Sequence, residues 1–290
     1  MCSGYSLSFR GMNFVAFNGK YYGADEPLLL ASNKSYRYGD GLFETLRVAG
    51  GKILLEPLHF DRLYSSLTRL GMVLPKLLTR ERLRMIILDL ARKNKAEKLG
   101  RVRLSFFRGN GGILEGDDEV SYVAEAWPLD PSINEFNSNG LVVGLFPHAR
   151  KMADAFSAVK TASFLPYSLA ARFAKKQQWN DSLLLNQYGR PCDTSIANIF
   201  LVKDNRMSTP ALTEGCIDGV MRRHLFQVAA DNGLILEERE LEMDDLYAAD
   251  EVFLSNSIRG IKWVGSLEGH IYGSHFSGAL HTMVNLSLGL

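Results

Sequence analysis

The sequence predicts two lobes of mixed helix and strand, an α+β first half followed by an α/β second half. Three observations support this. Apolar residues recur at helical spacing in several windows, short β-branched and aromatic runs are bounded by turn residues, and both patterns break at Trp127-Pro-Leu-Asp-Pro-Ser132. The break defines a linker over 128–140, between a first domain over 12–127 and a second over 141–290.

The elements follow in order. Residues 1–11 read as an N-terminal extension, too short and too polar for a signal peptide. Phe14-Val-Ala-Phe17 and Lys20-Tyr-Tyr22 flank Asn18-Gly19, a pair suited to the positive φ angles of a type I′ hairpin turn. Helical periodicity runs over Leu58–Leu70 and again over Thr79–Lys93, where Thr79 can cap the start. Val102–Phe107 reads as a strand entering the turn Arg108-Gly-Asn-Gly-Gly112. Beyond the linker, a strand is expected at Leu141–Phe146, a helix at Leu165–Lys176, and a hairpin pairing Ser182–Asn186 with Asn198–Val202. A helix over Val220–Asp231 and strands at Leu234–Glu238 and Glu251–Ser255 complete the second lobe.

Composition limits the function classes. The chain has 290 residues, 46% hydrophobic and 22% charged, with a formal net charge of +1. Scattered rather than clustered Lys and Arg give no footprint for nucleic acid or an acidic membrane surface, so a small molecule is the expected partner. No apolar run reaches the length of a membrane span. Cys2, Cys192 and Cys216 lack metal-ligand spacing, so no metal is expected, and their odd number fits a reducing, cytoplasmic compartment. Between two such lobes lies the default location of a small-molecule site.

Lys160 is the most informative residue. A lysine amine can form a Schiff base with an aldehyde cofactor, and Lys160 sits among small and apolar neighbours, Phe156-Ser-Ala-Val159 before it and Thr161-Ala-Ser-Phe-Leu165 after it. Taken alone the segment favours a solvated lysine at a helix start, and it is the other segments that reverse this. A pyridoxal ring acts as an electron sink when a carboxylate keeps its nitrogen protonated, and Asp193, after the Gly189-Arg-Pro turn, is the candidate. An Asp there is otherwise a plain turn residue. A phosphate needs a cation and backbone amides. Arg62, one turn after His59, offers a guanidinium fork, and Gly219 stands where a helix begins. Arg62 could instead pair on the surface with Asp61 or Glu56.

These motifs together resemble the class IV aminotransferases, pyridoxal phosphate enzymes of fold type IV that include branched-chain and D-amino acid aminotransferases and aminodeoxychorismate lyase. The likeness runs from about Met12 to Val264 through Tyr38-Gly-Asp-Gly-Leu-Phe-Glu-Thr-Leu-Arg47, His59-Phe-Asp-Arg62-Leu63, Lys160, Asp193-Thr-Ser-Ile-Ala-Asn198-Ile-Phe200, Ser208-Thr-Pro210, Gly219-Val-Met-Arg222 and Ala249-Asp-Glu-Val-Phe-Leu254. It implies a two-domain D-amino acid aminotransferase-like fold with pyridoxal 5'-phosphate in the interdomain cleft, and a homodimer whose subunits complete each other's site. It further implies catalytic roles for Lys160 and Asp193 and cofactor contacts from Arg62, Asn198, Gly219, Val220, Met221 and Ser257. Substrate contacts fall to Tyr38, Arg103, Arg108 and Asn256.

Two positions depart from the family pattern. Asp193 replaces a glutamate, which withdraws the carboxylate by about 1.5 Å, one C–C bond length. Such a shift would stretch a ring-nitrogen hydrogen bond unless the site is repacked. Met221 stands where many aminotransferases place a threonine that helps hold the phosphate. Arg108-Gly-Asn-Gly-Gly112, Gly219-Val-Met-Arg222 and Ser255-Asn256-Ser257 lean toward aminodeoxychorismate lyase and the folate pathway, whereas Arg103 matches branched-chain aminotransferases. The Arg-x-His pair of D-amino acid aminotransferases is missing after Arg108-Gly109. The leading expectation is therefore the lyase, with amino acid transamination as the alternative and a weakly active cofactor-binding homologue as the lesser one.

Overall fold

The structure, a computed structural model, describes residues 12–115 and 118–290; the expected extension over 1–11 lies outside the described residues. The chain divides into two units, residues 1–131 with 161–163, and residues 132–160 with 164–290.

The first unit opens with β1 (Phe14–Phe17) and β2 (Lys20–Gly23), joined by Asn18 at φ 47° and Gly19 at φ 80°, the left-handed pair that the hairpin turn requires. After α1 (Lys34–Tyr38) come β3 (Gly41–Ala49), β4 (Lys52–Ile53), α2 (Glu56–Arg69), α3 (Arg80–Lys93), β5 (Leu99–Arg108) and β6 (Val120–Pro128). The strands form one antiparallel sheet in the order β2-β1-β6-β5-β3-β4. Leu46, Val102, Leu104 and Phe106 are buried in it, as are Phe60, Leu63 and Leu67 of α2 and Leu83, Ile87 and Leu90 of α3. Each such side chain contributes about 2 kcal/mol from the apolar area removed from water. Thr79 caps α3 by accepting from the Arg82 amide at 3.1 Å. Residues 161–163 join this unit, with Thr161 bridging Leu42 and the Ala162 amide donating to the Gly41 carbonyl at 2.7 Å.

The second unit contains β7 (Leu141–Lys151), α4 (Leu165–Lys176), β8 (Asp181–Asn186), β9 (Pro191–Thr194), β10 (Asn198–Lys203), β11 (Arg206–Pro210), α5 (Val220–Asp231), β12 (Leu236–Arg239), α6 (Met243–Tyr247), β13 (Glu251–Asn256), β14 (Gly260–Leu267), β15 (His270–Ile271) and α7 (His275–Leu288). Its mixed sheet follows β12-β11-β10-β13-β14-β7-β8-β9, and a further β9–β10 pairing returns the path onto β10, closing six strands into a ring. Val143, Leu183, Leu185, Ile199, Leu201, Val252 and Leu254 share one buried cluster of this unit.

The expected hairpin of Ser182–Asn186 with Asn198–Val202 is not formed. Gly189, at φ 80°, reverses the chain early, so β8 pairs with the short β9 while β10 pairs with β9, β11 and β13. Four-residue β9 falls below the length at which a two-residue alternation can be read. It is this strand that carries Asp193, opposite Leu184 on one side and Asn198 on the other.

Candidate active site

Three strands of the second unit bring Leu184, Asp193 and Asn198 into register, so these side chains share one face. Leu184 packs there with Phe146, Tyr167, Ala170 and Ile217. Asp193 is buried, and every group bonded to it donates. Its Oδ2 accepts from Lys151 Nζ at 3.1 Å, the Tyr167 hydroxyl at 2.7 Å and the Ile217 amide at 2.9 Å. Its Oδ1 accepts, among the described residues, from Asn198 Nδ2 at 2.9 Å. Burial, and then the Asp193 charge beside it, push the Tyr167 phenol well above its usual range, so it remains a donor.

Asn198 ties this carboxylate to the start of α5. Its Nδ2 also donates to the Ile217 carbonyl at 2.8 Å, and its Oδ1 lies where a side chain at Gly219 would go, 1.9 Å from an ideal Cβ. Gly219 is the N-cap of α5 and, as a glycine, supplies no side-chain cap of its own. The partial positive charge and outward amides of such a helix start suit an anion such as a phosphate. A buried carboxylate with room for a further donor and a glycine at a helix start are two of the features that a pyridoxal phosphate calls for, and in these the residues present fit that cofactor. Val220 and Met221 are both buried in the first turn, where Arg222 is anchored by the Pro210 carbonyl at 3.0 Å and Glu238 at 2.9 Å.

Lys160 precedes α4 and is half-buried, its Nζ 4.9 Å from the centroid of the Phe164 ring, which stacks on Tyr167 at 4.2 Å. Asn256 ends β13, and its side chain holds its own turn. Oδ1 accepts from the Ile258 and Arg259 amides at 3.0 and 2.8 Å, while Nδ2 donates to the Ile196 carbonyl at 3.2 Å. Ser257 lies inside that turn.

The remaining sequence candidates belong to the first unit. Arg62 is buried on α2 and forms a two-pronged pair with Glu44 of β3, Nε to Oε1 at 2.7 Å and Nη2 to Oε2 at 2.6 Å. His59 Nδ1 meets the same carboxylate at 2.7 Å. Of the surface carboxylates considered from sequence, Asp61 pairs with Arg80 and Glu56 with Arg84. Burial raises the Glu44 carboxyl, but Arg62 and His59 outweigh that and hold it at about 2. Arg103 stands on β5 between Thr45 and Glu125, its guanidinium 3.7 Å from the Phe43 ring centroid and its Nε donating to Ser105 at 3.2 Å. Burial lowers its pKa and raises that of Glu125. Arg108 spans Asp40 at 2.7 Å, Asp118 at 3.0 Å and the Leu70 carbonyl at 2.6 Å. Tyr38, the last residue of α1, is exposed.

Sequence reasoning missed Lys151, Tyr167 and Glu44. Lys151 lies 42 residues from Asp193 and Glu44 lies 18 from Arg62, so only strand pairing and helix packing bring them together. Among the described residues no group of His, Cys, Asp and Glu could hold a metal ion, and no helix is long and apolar enough to cross a membrane.

Comparison with known proteins supplies the family. A D-alanine aminotransferase of Listeria monocytogenes is 28% identical over 261 residues, 88% of this chain and 88% of that protein. An aminodeoxychorismate lyase of Bacillus subtilis is 27% identical over 263 residues, 90% of this chain and 88% of that protein. The crystal structure of the branched-chain aminotransferase from the archaeon Thermoproteus uzoniensis matches with a TM-score of 0.86 at 23% identity, over 96% of each chain, a likeness of fold that places this chain in fold type IV. Residues 41–267 match the model of the family described as Amino-transferase class IV. Because that match runs through both units, the chain belongs to the class IV aminotransferase family, enzymes that act with pyridoxal 5'-phosphate.

Proposed function

We propose that the chain is a 4-amino-4-deoxychorismate lyase, releasing 4-aminobenzoate and pyruvate, with its cofactor chemistry carried by the second unit. The observation that favours the lyase among the family's reactions is the first turn of α5. Met221 is buried there and offers no hydroxyl, and Arg222 is pinned into the core, the pattern that leans to the lyase in sequence. Gly219, Val220 and Met221 would hold the phosphate through their amides, Ser257 would add a contact, and Asp193 Oδ1 would accept from the ring nitrogen. Bound in this way, pyridoxal phosphate withdraws electrons from the carbon beside the substrate nitrogen.

Lys160 is the general base in this reading. Its Nζ takes the proton from that carbon, and the Phe164 ring beside it keeps bulk water from one side of the amine. The bond from the ring carbon to the enolpyruvyl oxygen then breaks, the ring becomes aromatic, and the departing enolate takes back the proton held by Lys160, so that 4-aminobenzoate and pyruvate together hold every atom of the substrate. The second reading is amino acid transamination, favoured by Arg103, a half-buried cation against Phe43 at the position where branched-chain enzymes carry a strand arginine. A cytoplasmic homodimer acting on a small amine completes the proposal.

The deciding experiment is the absorbance spectrum of the protein with pyridoxal phosphate, before and after L- and D-amino acids are added without a keto acid. A lysine-bound cofactor band that survives the panel, followed by 4-aminobenzoate release from aminodeoxychorismate, supports the lyase. Conversion to the pyridoxamine form supports transamination and identifies the donor. Lys160→Ala serves as control: it should lose the band and the turnover, and appreciable turnover would remove Lys160 from its role.

A further inference from the structure

The replacement of the family glutamate by Asp193 sets a distance problem, and the donors around Asp193 answer it. Three donors converge on one oxygen from three separate elements: Lys151 from the end of β7, Tyr167 from α4, and the Ile217 amide from the segment leading into α5. The other oxygen has, among the described residues, one donor, Asn198, whose amide is itself fixed by the Ile217 carbonyl. A carboxylate oxygen offers about two lone-pair directions. Oδ2 is therefore saturated, while Oδ1 retains one acceptor position.

Lys151 reaches this place through an irregularity in β7. Leu145 pairs with Leu183 but Arg150 pairs with Leu185, so several residues are spent between two neighbouring rungs and the strand end is redirected. The Lys151 ammonium also donates to the Ser157 carbonyl at 3.1 Å and lies 5.0 Å from the Tyr167 ring centroid. Its side chain is about 10% exposed and that of Asp193 about 3%, so the pair is screened little by solvent.

We propose that Lys151 and Tyr167 are positioning residues for Asp193, seating its Oδ2 so that the shorter side chain presents Oδ1 as a fixed acceptor for the protonated ring nitrogen of the cofactor. On this account aspartate is fitted to its site: a glutamate at 193 would carry its carboxylate about 1.5 Å past these donors. The inference rests on the cofactor reading above and names residues that reading does not use.

The test measures the dissociation constant of pyridoxal phosphate from the cofactor-free protein, and the pH at which the bound cofactor's visible band fades, in Lys151→Met, Tyr167→Phe, Lys151→Arg and Asp193→Glu. Losing one hydrogen bond to a buried charge corresponds to about a tenfold change or more. Lys151→Met and Tyr167→Phe should each weaken binding by about that factor, Tyr167→Phe, which changes no charge, should move the fading pH, Lys151→Arg should restore most of the loss, and Asp193→Glu should weaken binding. Tyr167→Phe removes a single oxygen and gives the same readout if Lys151→Met does not fold. Wild-type affinity and an unmoved band in both variants would overturn the inference alone, as would tighter binding by Asp193→Glu. Absence of any cofactor band in the wild type would overturn it together with the cofactor reading.

Discussion

Gly219→Ala tests the junction between the carboxylate and the helix start. The backbone there has φ −68° and ψ 134°, which alanine adopts freely, so the effect of the substitution is one of space. An ideal Cβ falls 1.9 Å from Asn198 Oδ1 and 3.3 Å from the Arg222 Cβ. Non-bonded carbon contacts settle at about 3.5–4.0 Å, so the amide must withdraw by more than about 1 Å. Asn198 Nδ2 bridges Asp193 and Ile217 at 2.9 and 2.8 Å, and such a shift breaks at least one of these bonds. A buried polar group left unsatisfied costs about 1–3 kcal/mol. Urea unfolding of the cofactor-free protein should show a loss of that size, and pyridoxal phosphate should bind about tenfold more weakly. The control is Asn198→Ala, which removes the obstructing oxygen. In that background Gly219→Ala should cost less than about 0.5 kcal/mol, the strong coupling expected of residues in contact. Equal costs in both backgrounds would refute the steric account.

Two further outcomes follow from the geometry. Glu44 is held at about 2 against an ordinary 4.5, so its ion pairing contributes about 3 kcal/mol that is present above pH 4.5 and is lost as pH falls toward 2. Glu44→Gln should therefore be less stable than wild type by about 3–5 kcal/mol at pH 7, because Arg62 is left buried without its counter-charge, and the gap should narrow in acid. A gap independent of pH in urea titrations would contradict that origin. Asn256→Ala should cost about 1–3 kcal/mol of stability through the lost turn bonds. Unchanged stability with a raised KM would show that the side chain acts on substrate instead.

The sequence was most legible where structure is local. The Asn18-Gly19 turn, the Thr79 cap and the start of α5 at Val220 depend on residues within a few positions of each other. β3 was missed because Glu44 and Arg47 interrupt its apolar pattern. Both are buried, and the partners that make this tolerable for Glu44 come from α2. β9 was missed because four residues between a turn and a bend carry no periodicity. In the candidate site, the sequence named Asp193, Asn198 and Gly219, and the structure brings these three together. It could not name Lys151 or Tyr167, which lie 42 and 26 residues from Asp193 and meet it only after β7, α4 and β9 have packed.

That long-range contact alters how the departure at position 193 should be understood. Judged by side-chain length alone, aspartate would withdraw the carboxylate from the ring nitrogen that the proposed function gives it and would weaken the electron sink. In the folded unit its position is set by three donors on Oδ2, and those donors come from elements whose own placement follows from the irregular end of β7 and the stacking of Tyr167 on Phe164. A substitution that shortens a side chain is a handicap only if its surroundings stay fixed. Here an ammonium, a phenol and a backbone amide all meet the shorter side chain within 3.1 Å, so the reach of the carboxylate and the shape of its pocket have to be judged together.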